Sequence, residues 1–252
     1  MLRFSDIIYG PIHSRRLGTS LGVNLLPRSG KLCSFDCIYC ECGWNSDGRT
    51  SEKMPSSAAV AAALEESLAS FSRNGEKIDT ITFAGHGEPT LNPAFPEIMD
   101  ATVSLRNRYC PCASIAVLSN ATTLDRPEIL AAVRKADLPI LKLDAPTTIQ
   151  MRSMNRPNGN WTIENVIANL ERMEGDFIMQ TMFLGGADPD YTVDKKALEA
   201  WFDIVRRLHP RRIMAYTLDR PAPQEGLKKL TVETMREILH PLLGEGFDIQ
   251  IN

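Results

Sequence analysis

The sequence lacks an excess of basic residues, because 28 Lys and Arg stand against 31 Asp and Glu and leave a formal net charge of −3. A protein that binds nucleic acid mainly by neutralising phosphates is expected to carry a basic excess. The overall charge therefore disfavours that class of protein, although it leaves room for a local basic patch.

Long apolar runs are also missing. No stretch approaches the roughly 20 apolar residues that a helix needs to cross a bilayer, and residues 1–16 contain no apolar segment of the kind found in secretory signals. We therefore expect no membrane partner and a cytoplasmic location. With 43% apolar and 23% charged residues, the composition is that of a folded globular protein and excludes disorder as the bulk state.

Linkers are absent as well: the sequence has no internal repeat, no low-complexity tract and no Pro/Gly/Ser-rich stretch long enough to separate domains. At about 150 residues per domain, 252 residues allow one domain or two. Without a linker we predict one domain over residues 1–252, with an N-terminal lead segment over about residues 1–18. The closing run over residues 246–251 is expected to add an edge strand or a cap.

What the chain does contain is an alternation of short β-branched or apolar runs with longer amphipathic stretches, which is the pattern of β/α units. The six predicted strands are Leu21 to Leu26, Ile78 to Phe83, Ser114 to Leu118, Leu138 to Leu143, Phe177 to Phe183 and Ile213 to Thr217. The predicted helices are Ser57 to Phe71, Phe95 to Arg106, Pro127 to Arg134, Ile163 to Met173, Lys195 to Leu208 and Val232 to Leu242. Strands joined by helices pair in parallel. The pattern therefore predicts an α/β fold, either a partial TIM-like barrel or a doubly wound open sheet.

Cysteine is scarce but clustered. Six cysteines are too few for a disulfide scaffold, yet Cys33, Cys37 and Cys40 form a C-x3-C-x2-C loop after the first predicted strand, and Cys42 follows them. A tetrahedral structural zinc site needs four protein ligands and would require Cys42. An iron–sulfur cubane held by three cysteines leaves one iron open to another ligand. The residues alone leave both centres open and disfavour a disulfide.

Polar residues follow several predicted strands, at the edge where both α/β architectures place their function. Residues 84–91, Ala-Gly-His-Gly-Glu-Pro-Thr-Leu, follow the second strand, and Ser119 and Asn120 follow the third. Lys142 and Asp144 occupy alternate positions of the fourth strand and so share one face. Weaker candidates are Gln180, Tyr216, Asp219 and Arg220.

The cysteine spacing, with Tyr39 just before the third cysteine, resembles the signature of the radical S-adenosylmethionine (SAM) superfamily. The resemblance implies a [4Fe-4S] cluster on Cys33, Cys37 and Cys40 whose fourth iron is chelated by SAM. It also implies reductive cleavage of SAM to a 5′-deoxyadenosyl radical, which abstracts hydrogen from a substrate, and a reducing partner such as flavodoxin or ferredoxin. With it we predict a partial (β/α)6 barrel of parallel strands.

The same resemblance assigns roles to residues at the strand ends. Tyr39 would lie against the adenine, Gly87 and Glu88 match a motif that binds the amino group of SAM, and Ser119 with Asn120 would bind its ribose or carboxylate. Asp144 and Lys142 are candidates for SAM or substrate contact. His86 stands where the family motif has a glycine, which places an imidazole near the cluster. The candidates for a catalytic role are His86, Lys142 and Asp144.

Three further stretches, residues 9–22, 87–91 and 156–158, resemble the radical SAM group related to the wyosine-base synthases of transfer RNA. Those synthases carry a second cluster on upstream cysteines, and here no cysteine precedes Cys33. The substrate stays unidentified; an RNA base, a glycyl radical on a partner protein and a zinc-stabilised binding module are the alternatives.

Two other pairs of residues carry sequence-based expectations. Arg15 and Arg16 are either ligands for a phosphate or carboxylate or a pair that clamps the N-terminal segment. Cys110 and Cys112 precede the third predicted strand, so we expect them at the opposite rim, away from the open iron.

Overall fold

A computed structural model describes residues 6–14, 16–45, 52–186, 190 and 192–252, so Arg15 lies outside the described residues. Its strands are Ile8–Ser14 (β1), Gly18–Val23 (β2), Thr80–Phe83 (β3), Ser114–Ser119 (β4), Leu138–Lys142 (β5), Ile178–Met182 (β6), Leu184–Gly185 (β7), Arg212–Tyr216 (β8), Lys228–Lys229 (β9) and Ile249–Ile251 (β10). Its α-helices are Ser57–Asn74 (α1), Phe95–Tyr109 (α2), Pro127–Val133 (α3), Thr148–Met154 (α4), Ile163–Glu171 (α5), Lys195–Leu208 (α6) and Val232–Gly244 (α7).

The main sheet has the order β1-β2-β3-β4-β5-β6-β8-β10. Its pairs from β2 to β10 are parallel, and β1 pairs antiparallel with β2. Because strand order follows chain order, every crossover steps to the next strand on the same side, whereas a doubly wound sheet reverses direction. This confirms the predicted partial barrel of parallel strands. In the described part of the chain the edge strands β1 and β10 do not pair with each other, so the barrel is open.

The strands are buried because helices cover their outer face and side chains fill the inside of the curved sheet. All four residues of β3 and all five of β6 are buried. On the outside, Trp201 and Phe202 of α6 are buried, and the Trp201 ring makes an edge contact with Phe183. Among the residues described, no helix has the length and apolarity that crossing a bilayer requires.

Two parts of the sequence-based assignment differ from the structure. The N-terminal lead contains a strand, β1, whose period is hidden by Gly10 and Pro11 at an irregularity in its pairing with β2. The first predicted strand, Leu21 to Leu26, instead ends at Val23. The reason is Asn24, whose side chain accepts a hydrogen bond from the Leu26 amide and donates one to the Leu26 carbonyl, which turns the chain.

The short elements were missed. Helix α4 has seven residues, and the antiparallel pair of β7 and β9 has two residues in each strand. Segments of this length show no clear apolar period. Helix α3 is equally short but was predicted, because Pro127 marks its start. At the end of the chain, β10 pairs in parallel with β8.

Replacing Gly22 with alanine is expected to destabilise the contact between β1 and β2. Gly22 faces Tyr9 across the two strands, and a Cβ atom at position 22 would overlap the Tyr9 ring. We expect the free energy of unfolding to fall by about 1–3 kcal/mol, as for other overpacked sites, when measured by urea denaturation. In a Tyr9→Ala background the same substitution should cost far less; equal costs in both backgrounds would contradict this explanation.

Candidate functional site

A cavity of about 460 Å³ opens at the carboxyl ends of the parallel strands. It is lined by most of the polar residues that the sequence singled out: Cys33, Cys37, Tyr39, Cys40, Gly87, Glu88, Ser119, Asn120 and Lys142, together with the weaker candidates Gln180, Tyr216, Asp219 and Arg220. The fold therefore brings residues from separate segments of the chain to one place.

The cysteine loop is held in shape by two asparagines. Asn45 accepts a hydrogen bond from the Cys33 amide at 3.1 Å and donates to the carbonyls of Cys33 and Phe35. Asn158 donates to the Cys33 carbonyl at 3.0 Å, and its amide donates to Ser34. Together they satisfy the backbone groups around Cys33, so the loop has a defined conformation without regular secondary structure.

The segment after α4 supports the loop from the other side. The Asp36 amide donates to the carbonyl of Asn155, the Ile38 amide donates to that of Met154, and Phe35 forms an isolated bridge with Pro157. Residues 156–158 were recognised in the sequence only as a family-like motif. In the structure this segment is the support on which the cysteine loop rests.

Burial dominates the electrostatics of two of the thiols and raises the pKa of Cys33 and of Cys37. At Cys40 the largest influence is a hydrogen bond with the Cys42 thiol, which lowers the pKa of Cys40 to about 6 against the opposing effect of burial. The same contact raises the pKa of Cys42.

The cysteine donor set fits a polynuclear cluster better than a single ion. Within the described ranges, no three His, Cys, Asp or Glu side chains come close enough to hold one metal ion. A tetrahedral zinc ion needs four ligands at one point, whereas in a cubane each thiolate binds a different iron and the sulfurs stay apart. Cys33, Cys37 and Cys40 border one cavity, and three thiolates are the number that holds a cubane with one open iron.

The glycine–glutamate segment is tied directly to the cysteine loop. The Leu32 amide donates to the His86 carbonyl at 2.8 Å, and the Glu88 amide donates to the Leu32 carbonyl at 3.1 Å. Gly87, between them, has a φ of +135°, and a Cβ atom there would overlap the Leu32 carbonyl oxygen. Glycine is needed at position 87 because the two chain segments approach so closely.

The Glu88 carboxylate is buried at the cavity wall and held by its neighbours. One oxygen accepts from the Thr90 hydroxyl at 2.6 Å and the Thr90 amide at 3.2 Å, and the other accepts from the Asn120 amide at 2.7 Å. Burial raises the pKa of Glu88, and these hydrogen bonds oppose that shift. The Ser119 side chain also donates to this carboxylate, which is therefore fixed in orientation from several sides.

Ser119 and Asn120 lie at the end of β4. The side-chain nitrogen of Asn120, Nδ2, donates to the Ser34 hydroxyl at 2.8 Å and lies 3.5 Å from the Cys33 sulfur. The Ser119 hydroxyl accepts from the Ala121 amide at 3.0 Å. The Asn120 contacts place this strand end between the cysteine loop and the Glu88 carboxylate.

A buried network joins Tyr39 to the end of β5. The Tyr39 hydroxyl donates to Asp144, and Lys142 Nζ donates to the hydroxyls of Tyr39 at 2.9 Å and Tyr216 at 3.0 Å. Asn155 donates to Asp144 at 2.7 Å and lies 3.4 Å from the Cys37 sulfur. Burial opposes the charged form of Lys142, but Asp144 and the surrounding groups raise the pKa of Lys142 above its usual value.

Two of the sequence-based candidates lie outside the set of described residues that line the cavity. The His86 ring is 4% exposed and its Nδ1 contacts the Pro27 carbonyl at 3.1 Å. Asp144 lies behind Tyr39 and Lys142, where its second oxygen accepts from the Met182 amide. These contacts support positioning roles for both residues.

The structure also places residues at the cavity that the sequence did not single out for it. Tyr9, Ile12, His13 and Ser14 come from β1, and Lys31, Cys42 and Asn252 also line the wall. Cys110 and Cys112 lie between α2 and the start of β4, at the opposite edge of the sheet. The β1 residues belong to the family-like stretch 9–22, but nothing in that stretch assigned them to the cavity, and no local motif marks Asn252.

Replacing Lys31 with methionine is expected to destabilise the cysteine loop. The Lys31 ammonium is 2% exposed, lies 2.9 Å from the Asp36 carboxylate and donates to the Gly43 carbonyl. Removing one partner of a buried ion pair leaves the other uncompensated, so we expect a loss of about 3 kcal/mol in the free energy of unfolding, measured in urea. Lys77→Met, which removes an exposed pair with Asp79, is the control and should cost at most about 1 kcal/mol. Equal losses would contradict the prediction.

Comparison with known proteins places this geometry in context. A family model described as the radical SAM superfamily matches residues 29–186. A UPF0026 protein of Methanocaldococcus jannaschii is 31% identical over 92% of this chain and 70% of its own length.

Solved structures show the same fold at low sequence identity. A radical SAM methyltransferase from Sphaerobacter thermophilus superposes with a TM-score of 0.68 at 17% identity, over 92% of this chain and 65% of its own. Streptococcus suis SuiB bound to S-adenosylmethionine superposes with a TM-score of 0.62 at 14% identity, over 89% of this chain. The chain thus spans about two thirds of the first structure and 49% of the second.

Proposed function

The chain belongs to the radical SAM superfamily, and we propose that it reductively cleaves SAM at a [4Fe-4S] cluster and uses the resulting 5′-deoxyadenosyl radical to abstract hydrogen from a substrate. The observation that carries the proposal is the meeting of three cysteine thiols and an oriented, buried carboxylate at one cavity. Streptococcus suis SuiB, which shares this fold, has been solved with SAM bound, and this supports the same cofactor here.

Each group in the cavity has a proposed task. Cys33, Cys37 and Cys40 would hold the cluster, and Glu88 would accept hydrogen bonds from the SAM ammonium group. Ser119 and Asn120, which flank Glu88, would bind the ribose or carboxylate of SAM. Tyr39 would support the adenine, with Lys142 and Asp144 fixing the Tyr39 hydroxyl.

When bound, the cluster and SAM supply the radical chemistry, and the protein supplies position and exclusion of water. The walls of the cavity suit that task. Cys37 and Tyr39 are 8% and 7% exposed, and Glu88 is 2% exposed, so the reacting groups would lie away from bulk solvent. A reductant such as flavodoxin or ferredoxin would deliver the electron.

The test is anaerobic reconstitution of the full chain followed by iron, sulfide and zinc analysis and by assay of 5′-deoxyadenosine after reduction with dithionite. We expect about four irons per chain and formation of 5′-deoxyadenosine that requires both SAM and reductant. Near-stoichiometric zinc without iron would instead establish the zinc-stabilised binding module and refute the proposal.

The substrate separates the remaining alternatives. The resemblance of residues 9–22 and 156–158 to the wyosine-synthase group points to a transfer RNA base, and the net charge of −3 opposes it. Binding of transfer RNA that weakens steeply with salt would favour that substrate. Transfer of label from a deuterated partner protein into 5′-deoxyadenosine would favour glycyl-radical activation.

A further inference from the structure

We infer that the substrate carries an oxyanion, a carboxylate or a phosphate, which binds at a subsite formed by Arg16, Tyr216 and Asn252. This subsite, called the β8 subsite below, lies at the end of β8 and lines the cavity. That the anion belongs to the substrate rests on the proposed function. That an anion binds at this place rests on the contacts of Arg16, Tyr216 and Asn252.

The turn between β1 and β2 places Arg16. The Ser14 hydroxyl oxygen accepts hydrogen bonds from the amides of Arg16 at 3.3 Å and Leu17 at 3.2 Å, which fixes the turn. Leu17 packs against the interior residues Ala116, Ile140, Ile178 and Met214. The turn therefore folds into the barrel and holds the Arg16 guanidinium 5.0 Å from the centre of the Tyr216 ring.

Two side-chain hydrogen-bond donors at this subsite have no acceptor. Arg16 Nη1 and Asn252 Nδ2 are buried and have no hydrogen-bond partner. The backbone amide of Asn252 donates to the Ala215 carbonyl at 3.0 Å, and Arg16 lies against Tyr216. Both unsatisfied side chains therefore belong to residues at the same end of β8. Buried donors are nearly always paired in folded proteins, so two orphans facing one cavity indicate an acceptor that binds there.

The positive charge of Arg16 favours an anion as this acceptor. The other Lys and Arg side chains of the lining each have a carboxylate partner: Lys31 with Asp36, Lys142 with Asp144, and Arg220 with Glu41. Arg16 has no carboxylate within 4.0 Å among the described residues. A guanidinium and an amide donor that line the same end of the cavity suit the oxygens of a carboxylate or phosphate.

The position of the β8 subsite points to the substrate as the source of the anion. The cysteine loop follows β2, Glu88 follows β3 and Asn120 follows β4, so the groups proposed to bind SAM lie on one side of the barrel. In the sheet order, β5 and β6 separate β4 from β8. Lys142 Nζ contacts both the Tyr216 hydroxyl and the Tyr39 hydroxyl, so an anion at the β8 subsite would hold a second molecule beside the groups proposed to bind SAM.

The test uses the cluster-loaded full chain with saturating SAM and two probes, inorganic phosphate and succinate, titrated by calorimetry at constant ionic strength. We expect the wild type to bind at least one probe, Arg16→Gln to bind it about tenfold more weakly or worse, and Arg16→Lys to be intermediate because it keeps the charge and loses the planar fork. Asn252→Ala should weaken binding by a smaller factor. The preferred probe distinguishes phosphate from carboxylate.

Arg108→Gln is the matched control, because Arg108 lies on α2 outside the set of lining residues and the substitution removes the same charge from an exposed pair with Glu65 of α1. Equal weakening in Arg16→Gln and Arg108→Gln would overturn the inference, as would failure of the wild type to bind either probe at millimolar concentration. A lower affinity for SAM in Arg16→Gln, measured without added anion, would assign Arg16 to the SAM carboxylate and also overturn it.

The proposed function is judged separately, by formation of 5′-deoxyadenosine in the wild type without substrate. If that reaction occurs and anion binding does not depend on Arg16, only the β8 subsite is refuted. If anion binding depends on Arg16 and no 5′-deoxyadenosine forms, the subsite stands and the proposed function fails.

Discussion

Replacing Cys33, Cys37 or Cys40 by alanine is expected to remove most of the iron and to abolish formation of 5′-deoxyadenosine. Loss of a group that merely supports a metal ligand costs about 10–100-fold in affinity or activity, and loss of a ligand should cost at least as much. Iron and sulfide per chain, the absorbance of the cluster and the 5′-deoxyadenosine yield measure the effect. Retention of full iron and product in any of the three variants would contradict its assignment as a ligand.

Two other cysteines serve as controls for this experiment. Cys112 is exposed and lies at the opposite edge of the sheet, so Cys112→Ala should keep iron and activity at the wild-type level. Cys42 lines the cavity and contacts Cys40, which makes it the residue that separates the two metal centres. We expect Cys42→Ala to retain iron, whereas a four-cysteine zinc site would lose its metal in this variant.

Glu88→Gln is expected to weaken SAM binding by about 10- to 100-fold while leaving the iron content unchanged. Hydrogen bonds to a charged group contribute about 1.5–3 kcal/mol, and every 1.4 kcal/mol is a factor of about ten in affinity. The substitution removes the negative charge that would face the SAM ammonium group. Equilibrium binding of SAM to the oxidised, cluster-loaded protein is the measurement.

The design must separate binding from folding, because the Glu88 carboxylate also accepts hydrogen bonds from Thr90 and Asn120. The free energy of unfolding is therefore measured in the same variant, and a loss of SAM affinity larger than the loss of stability supports direct contact. Glu97→Gln, which makes the same chemical change in the first turn of α2, is the control. Unchanged SAM affinity in Glu88→Gln would refute the proposed role of the carboxylate.

The fold was predictable to the extent that its elements are long. Helix α6 begins and ends where the sequence predicts, since Asp194 caps its start and its buried residues recur at helical spacing. Strand β1 was not predicted, because Gly10 and Pro11 interrupt its pattern and its pairing partner lies after a turn. The pairing register of a short, interrupted strand depends on its tertiary contacts, so the sequence alone specifies it weakly.

The candidate site divides in the same way. The cysteine loop and the Gly87–Glu88 segment could be found from the sequence, because their chemistry is carried by neighbouring residues on one short piece of chain. The directions of His86 and Asp144 could not, since both side chains take hydrogen-bond partners that are remote in sequence, Pro27 and Met182. A side chain at a strand end can face the cavity or turn behind it, and packing decides between them.

By itself, then, the sequence determined an α/β chain with three clustered thiols at the end of a first parallel strand and a carboxylate at the end of the next. These features depend on local spacing and on the rule that parallel strands end at one edge. Only the tertiary structure brought Arg16, Tyr216 and Asn252 together, because they lie on three separate segments that meet when the sheet curves. The residues proposed to bind the cluster and SAM can thus be found from short segments of sequence. The residues proposed to bind the substrate anion come together only through contacts between distant parts of the chain.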